Sequence, residues 1–338
     1  MNTVKSLIRV VKRARLSLRS QTRSHILQLP IEVLLRIFEY LPPYSQLLVY
    51  QTCRPLRTII HQYFLSGKGD ILAAPKDRLC YLTHLARSLP DRWVCAKCCK
   101  LHQTCEWDTP KPQNYTPKCR DGLSFVDERS ECRKLPNTEY APCHRHLELT
   151  LKYARLKSPK KKHQKHLQRL LASYHVDSQI SGGMSVANGV RAQSSFYPKV
   201  VDGRYLLFSA HAYLASRGTI LQQSIEFLII CPHVYSFGAF CGRNTLTRDL
   251  DMILYTCFSA PPNTIISTSC LACKTDITIE ASLERLIICT WQDLGPEATV
   301  YDPDWEAIVR NTTSVYHETG SIEELYGQNE HKCDCYIG

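Results

Sequence analysis

In a chain of 338 residues, one short stretch near the N-terminus constrains folding most: Leu29-Pro30-Ile31-Glu32-Val33-Leu34-Leu35-Arg36-Ile37-Phe38-Glu39-Tyr40-Leu41-Pro42. Pro30 suits the first position of a helix, where no N–H donor is needed, and Pro42 cannot continue one. Glu32, Arg36 and Glu39 fall at spacings of four and three, so they share one narrow polar stripe. The rest is almost entirely apolar, whereas a surface helix ordinarily carries one apolar face. Such a helix needs cover on two sides. The segment from Ser45 to about Phe64, with Leu47, Leu48, Val49, Leu56, Ile59 and Ile60, supplies one cover. A unit of roughly 35 residues cannot bury that much apolar surface alone, so a partner protein is the natural second cover.

The pattern Leu29-Pro30-x-Glu32-Val33-Leu34-x-x-Ile37-Phe38-x-Tyr40-Leu41, followed by Gln51-Thr52-Cys53-Arg54-Pro55-Leu56-Arg57, resembles an F-box over residues 28 to about 64. The resemblance implies a module that docks on the Skp adaptor of a cullin-type ubiquitin ligase while the rest of the chain recruits a substrate. Leu29, Pro30, Ile31, Leu34, Ile37, Phe38, Leu41 and Pro42 are then the residues expected to meet the adaptor.

Charge is unevenly spread. Of the 42 Lys and Arg, seven lie in residues 1–24 and eight in residues 152–169, both segments free of acids, which leaves 27 against 31 acidic residues elsewhere. A uniformly cationic nucleic-acid binder does not look like this. Residues 1–24 lack the continuous apolar core of a secretory signal. They read as a flexible basic leader, with a nuclear signal or a mitochondrial presequence as its alternative roles. A cytoplasmic or nuclear location is expected, ahead of a mitochondrial one. No apolar run approaches the length of a membrane-spanning helix. The 17 cysteines, in a chain expected to meet a reducing compartment, favour metal sites over a disulfide framework.

Apolar spacing predicts helices over Asp77–Leu89, His144–Leu156, a short basic stretch after Lys160-Lys161-Lys162-His163, and Leu246–Phe258. Residues 91–142 show little periodicity, and an irregular segment of that length needs something to hold it. From Ser194 the pattern turns extended. Phe196–Val201 and Tyr205–Phe208 flank Asp202-Gly203, a tight-turn signal. Ser224–Ile230, Asp276–Glu280 and Arg285–Thr290 are further strands. The fold class is α+β: an N-terminal helical F-box, a Cys-rich helical and irregular region, then a mixed C-terminal domain with antiparallel strands. The expected organisation is a leader over 1–24, the F-box over 25–66, a Cys/His-rich helical region over 75–175, an α+β domain over 190–315 and a tail over 316–338.

Two cysteine clusters carry metal chemistry. Cys95-x-x-Cys98 sets two thiolates on one tight turn, as structural zinc requires. Cys143 and His146, three apart at a helix start, are the expected completing pair, with Cys99, His102, Cys105, Cys119, Cys132 and His144 as rivals. A second set pairs Cys231-Pro232-His233 with Cys270-Leu271-Ala272-Cys273, the latter just before a strand. Zinc is the expected cofactor, in a structural role. Glycine-rich phosphate loops, Gly-x-Ser-x-Gly and His-Glu-x-x-His are absent from the sequence, which argues for an adaptor rather than an enzyme.

The order of these features is similar to that of a large group of fungal F-box-domain proteins. It runs from the F-box to Trp93-x-Cys-x-x-Cys-x3-His102, Cys143-x-x-His146, Cys270-x-x-Cys273-x-Thr275-Asp276, Trp291-Gln292-Asp293-Leu294-Gly295 and Asp302-Pro303-Asp304-Trp305. The reading that follows is an adaptor presenting an unknown protein substrate for ubiquitination. A zinc-containing nucleic-acid-binding protein that uses the basic segments is the alternative.

Overall fold

The computed structural model describes residues 25–66, 70–111, 140, 142–179, 190–216, 219–220, 225, 228–236, 250–262, 264–309 and 313–327. The basic leader over 1–24 and residues 328–338 of the tail lie outside these residues. The chain divides into two compact units, one up to Leu85 and one from Ala86 onward.

The first unit is helical. Helix α1 (Ile31–Glu39) opens after Pro30, whose carbonyl accepts from the Val33 and Leu34 N–H groups at 3.1 Å each. Helix α2 (Pro43–Thr52) starts on a proline, which needs no donor there. Helix α3 (Arg54–Ile60) continues through one π turn, His61–Leu65. Gln46 Nε2 donates to the Phe38 and Leu41 carbonyls at 3.0 Å each, closing α1 with a side chain. Leu34 and Phe38 pack with Leu56, Ile59, Ile60 and Phe64 in one small core. The Phe38 and Phe64 rings meet edge to face at 6.3 Å. Helix α4 (Pro75–Ala86) ends a turn before the expected Leu89.

The second unit is built on a six-stranded antiparallel sheet. Within the stretch expected to be irregular, Arg92–Cys95 (β1) and Lys100–Gln103 (β2) form a hairpin. The remainder of that stretch, 112–139 and 141, lies outside the described residues. Helices α5 (His144–Arg155) and α6 (Lys161–Leu170) follow. Strands β3 (Tyr174–Gln179), β4 (Val190–Val201) and β5 (Arg204–Ala215) come next. A small hairpin, β6 (Leu228–Cys231) and β7 (Val234–Ser236), precedes helix α7 (Leu250–Ser259). Strands β8 (Ile265–Ser269), β9 (Thr275–Ala281) and β10 (Arg285–Pro296) complete the sheet. Helices α8 (Pro303–Val309) and α9 (Ser321–Gly327) close the unit. The sheet order is β3-β4-β5-β10-β9-β8.

The Asp202-Gly203 turn forms as expected, with φ of 48° and 72° at the two residues, and pairs Val201 with Arg204. Its strands run twelve residues each, longer than their apolar cores suggest. The central strands β5 and β10 are buried on both faces, so their residues do not alternate between buried and exposed. On one face Tyr205, Leu207, Leu286 and Ile288 join Leu147 and Leu151 of α5, Leu254 of α7 and Trp305 of α8. On the other, Leu206, Phe208, Ile287 and Trp291 pack on Ile322 and Tyr326 of α9. Helix α5, from within the segment expected over 75–175, shares one core with the strands expected over 190–315. Among the described residues no helix is long and apolar enough to cross a membrane.

Candidate docking face and metal centres

Helix α1 divides its apolar residues between two sides. Leu34 and Phe38 are 3% and 1% exposed, while Val33, Ile37 and Tyr40 are 43%, 38% and 87% exposed. The last three recur at i, i+4 and i+7, so they form a single apolar stripe on the surface. Beside it Arg36 and Glu39 form a solvent-exposed pair at 3.0 Å. Leu29, Ile31 and Leu41 are half-buried against the unit's core, and Pro30 and Pro42 are exposed. Leu34 and Phe38, two of the residues expected to meet the adaptor, have their side chains in the unit's own core. Val33 and Tyr40, which were not in the expected contact set, are exposed on the same side as Ile37.

The four residues of the second cysteine cluster come together. Cys231 ends β6, His233 sits in the β6–β7 turn, and Cys270 and Cys273 lie on the turn between β8 and β9. All four are buried, and their donor atoms lie within 4.8 Å of one another. The turn is shaped for this by backbone bonds. The Cys270 N–H donates to the Thr275 carbonyl at 2.9 Å, and the Ala272 N–H points at the Cys270 sulfur at 3.4 Å. Gln292 of β10 reaches across to the Ile230 carbonyl at 3.0 Å, fastening the small hairpin to the sheet. The Cys270 thiol is held well below its ordinary value by hydrogen bonds from Cys231 and then Cys273, while burial pushes Cys231 up. His233 Nδ1 is buried without a hydrogen-bond partner. Three sulfurs and an imidazole at this separation, with an orphaned ring nitrogen, fit a tetrahedral Cys3His zinc site.

The first cluster assembles with a different histidine. Cys95, Cys98 and His102 have donor atoms within 4.8 Å of one another, with Cys98 Sγ 3.0 Å from His102 Nε2. The β1–β2 register places Trp93 opposite His102, and the two rings stack at 5.0 Å. These three donors are of the kind and at the separation that could hold a metal ion. The hairpin is gripped from α5. Glu148 Oε2 accepts from the Val94 N–H at 3.0 Å, and Lys152 Nζ donates to Glu148 Oε1 at 3.0 Å and to the Arg92 carbonyl at 2.6 Å. Both side chains of this ion pair are buried.

Cys143 and His146 do not join that cluster, a correction with a local cause. They cap α5 reciprocally: the Cys143 N–H donates to His146 Nδ1 at 3.1 Å, and the Cys143 sulfur is held in a disulfide. His146 Nε2 lies 3.0 Å from Asp108, whose carboxylate also takes Arg145 at 2.8 Å. Burial alone would raise the Asp108 carboxyl, but His146 and Arg145 hold it well below the usual carboxylate range. Both ring nitrogens of His146 are thus occupied. Among the rivals, His144 is buried against Trp305, Cys105 is half-buried, and Cys119 and Cys132 lie outside the described residues.

Residues 26–65 match the F-box-like family. The first unit therefore carries an F-box-like domain near the N-terminus, followed by the mixed α+β unit described above. Domains of this class typically belong to substrate-recognition subunits of ubiquitin ligases. No curated protein and no solved structure matches the chain.

Proposed function

We propose that this chain is a substrate-recognition adaptor that docks on the Skp subunit of a cullin-type ubiquitin ligase and presents a protein for ubiquitination. The observation that carries the reading is the stripe of Val33, Ile37 and Tyr40 exposed on α1 inside the segment that matches the F-box-like family. Pro30 and Pro42, at the two ends of the helix, are also exposed. Covering each large apolar side chain contributes about 1.5–3 kcal/mol, offset in part by the cost of association. The second unit serves as the substrate-holding body. Zinc, bound by Cys231, His233, Cys270 and Cys273 and by Cys95, Cys98 and His102, supplies cross-links there and no reaction step. The cysteine and histidine side chains orient two turns, at β8–β9 and β1–β2, that lack other covalent restraint among the described residues.

Capture by a purified Skp protein tests the reading. The full chain should bind, and Val33→Asp with Ile37→Asp should abolish binding while circular dichroism and zinc content stay those of the parent. Undiminished capture by this double variant overturns the docking face.

A further inference from the structure

Helix α6 presents a cationic surface that neither the docking face nor the metal centres use. Residues 155–170 contain no acid. His163, His166 and Leu170 turn inward, which leaves Lys161, Lys162 and Lys165 outward, with Lys157 and Lys160 exposed just ahead. Two cations of this face find carboxylates: Lys162 reaches Asp91 at 2.6 Å and Arg169 reaches Glu106 at 3.4 Å. Lys157, Lys160, Lys161 and Lys165 form no ion pair among the described residues. Trp107, 57% exposed, sits at the far end with the Arg169 guanidinium 4.4 Å above its ring.

This arrangement costs stability. Lysines in the first turn oppose the helix dipole, and Lys161 and Lys165, one turn apart, repel each other. Four lysines of this face have no carboxylate partner among the described residues, and an anionic partner would supply one. We propose that the face of Lys160, Lys161 and Lys165, ending on Trp107, binds an acidic peptide segment. Resting on the adaptor reading, it is the place where the second unit holds its substrate. The helix length from Lys160 to Arg169 is about 15 Å, enough for about four or five residues of extended peptide. A peptide is favoured over a nucleic acid on two grounds. The cations already engaged here take carboxylates, which ammonium point charges suit. Trp107 has one ring face under Arg169, whereas a nucleic-acid strand uses a run of open aromatic platforms.

The test is fluorescence anisotropy on the full chain. The probes are a labelled peptide of alternating Glu and Ser, its Gln-for-Glu counterpart, and an oligothymidine of matching length. The Glu peptide should bind and the Gln peptide should not. Lys160→Glu, Lys161→Glu and Lys165→Glu together should weaken binding by on the order of tenfold or more, with Tm unchanged or higher, because acids suit a helix N-terminus. Trp107→Ala should cause a partial loss. Equal binding of the Gln peptide, undiminished binding by the triple variant, or tighter binding of oligothymidine than of the Glu peptide overturns the proposal. Skp capture on the same preparations separates the two readings. Lost capture with retained peptide binding sinks the adaptor alone, and the reverse sinks the peptide face alone.

Discussion

Neighbouring residues of α1 have opposite duties, and substitutions should separate them. Phe38→Ala removes a ring packed on Phe64 and should cost about 3–5 kcal/mol, enough to unfold a unit this small. Ile37→Ala, at a surface position, should change stability by no more than about 0.5 kcal/mol while weakening Skp capture. Thermal unfolding of the two variants checks the contrast. The motif was legible from the sequence, but its orientation was not. An apolar stretch on nearly every side of a helix does not say which residues the unit claims for itself, and only the placement of α3 decides that Leu34 and Phe38 go inward. A second residue-scale consequence concerns pH. Burial pushes His144, packed on Trp305, down to about 4, against about 6.5 in an unfolded chain. Above the unfolded value both states are neutral and the contribution is full. As pH falls from about 6.5 towards about 4 the unfolded chain takes up the proton first, and about 3 kcal/mol of stability is lost. Denaturant midpoints at neutral and acid pH should show a shallower pH dependence in His144→Asn than in the parent. An identical dependence would contradict this.

At the scale of elements, the β1–β2 hairpin depends on α5 through the buried Glu148–Lys152 pair. Lys152→Met should cost about 3–5 kcal/mol, because it strands a buried carboxylate. Lys152→Met with Glu148→Gln should recover much of this, since the amide oxygen can still accept from the Val94 N–H. Additive losses in the double variant would show that the pair is not coupled. For the second cluster, Cys270→Ser should lower zinc content by one equivalent and strip amide protection from the β6–β7 hairpin while β4 and β5 keep theirs. Hydrogen exchange reads both. The four residues paired in the sequence reading come together in the structure, although only Cys270-x-x-Cys273, just before a strand, has knuckle-like spacing. His102, one of the rivals, was not singled out beside Cys95 and Cys98 because the hairpin itself was hidden. Four-residue strands with one polar edge leave no clear period, and without them His102 cannot be seen to face Cys98. Cys143-x-x-His146 had ligand spacing for a different reason, a reciprocal cap at the start of α5.

For the whole molecule, the class was legible: helices first, antiparallel strands later, with the Asp202-Gly203 turn fixing the register of the longest hairpin. The union of the Cys-rich segment with the sheet was not, since it arises from long-range packing of Leu147 and Leu151 against the strand residues, which no local pattern encodes. In the proposed function, one face serves a ligase subunit and a second, metal-clamped unit serves a substrate. Native mass spectrometry of the chain co-expressed with Skp tests it most directly. The expected result is a one-to-one complex whose mass includes a zinc ion for each Cys/His cluster. A metal-free chain that never joins Skp would contradict it.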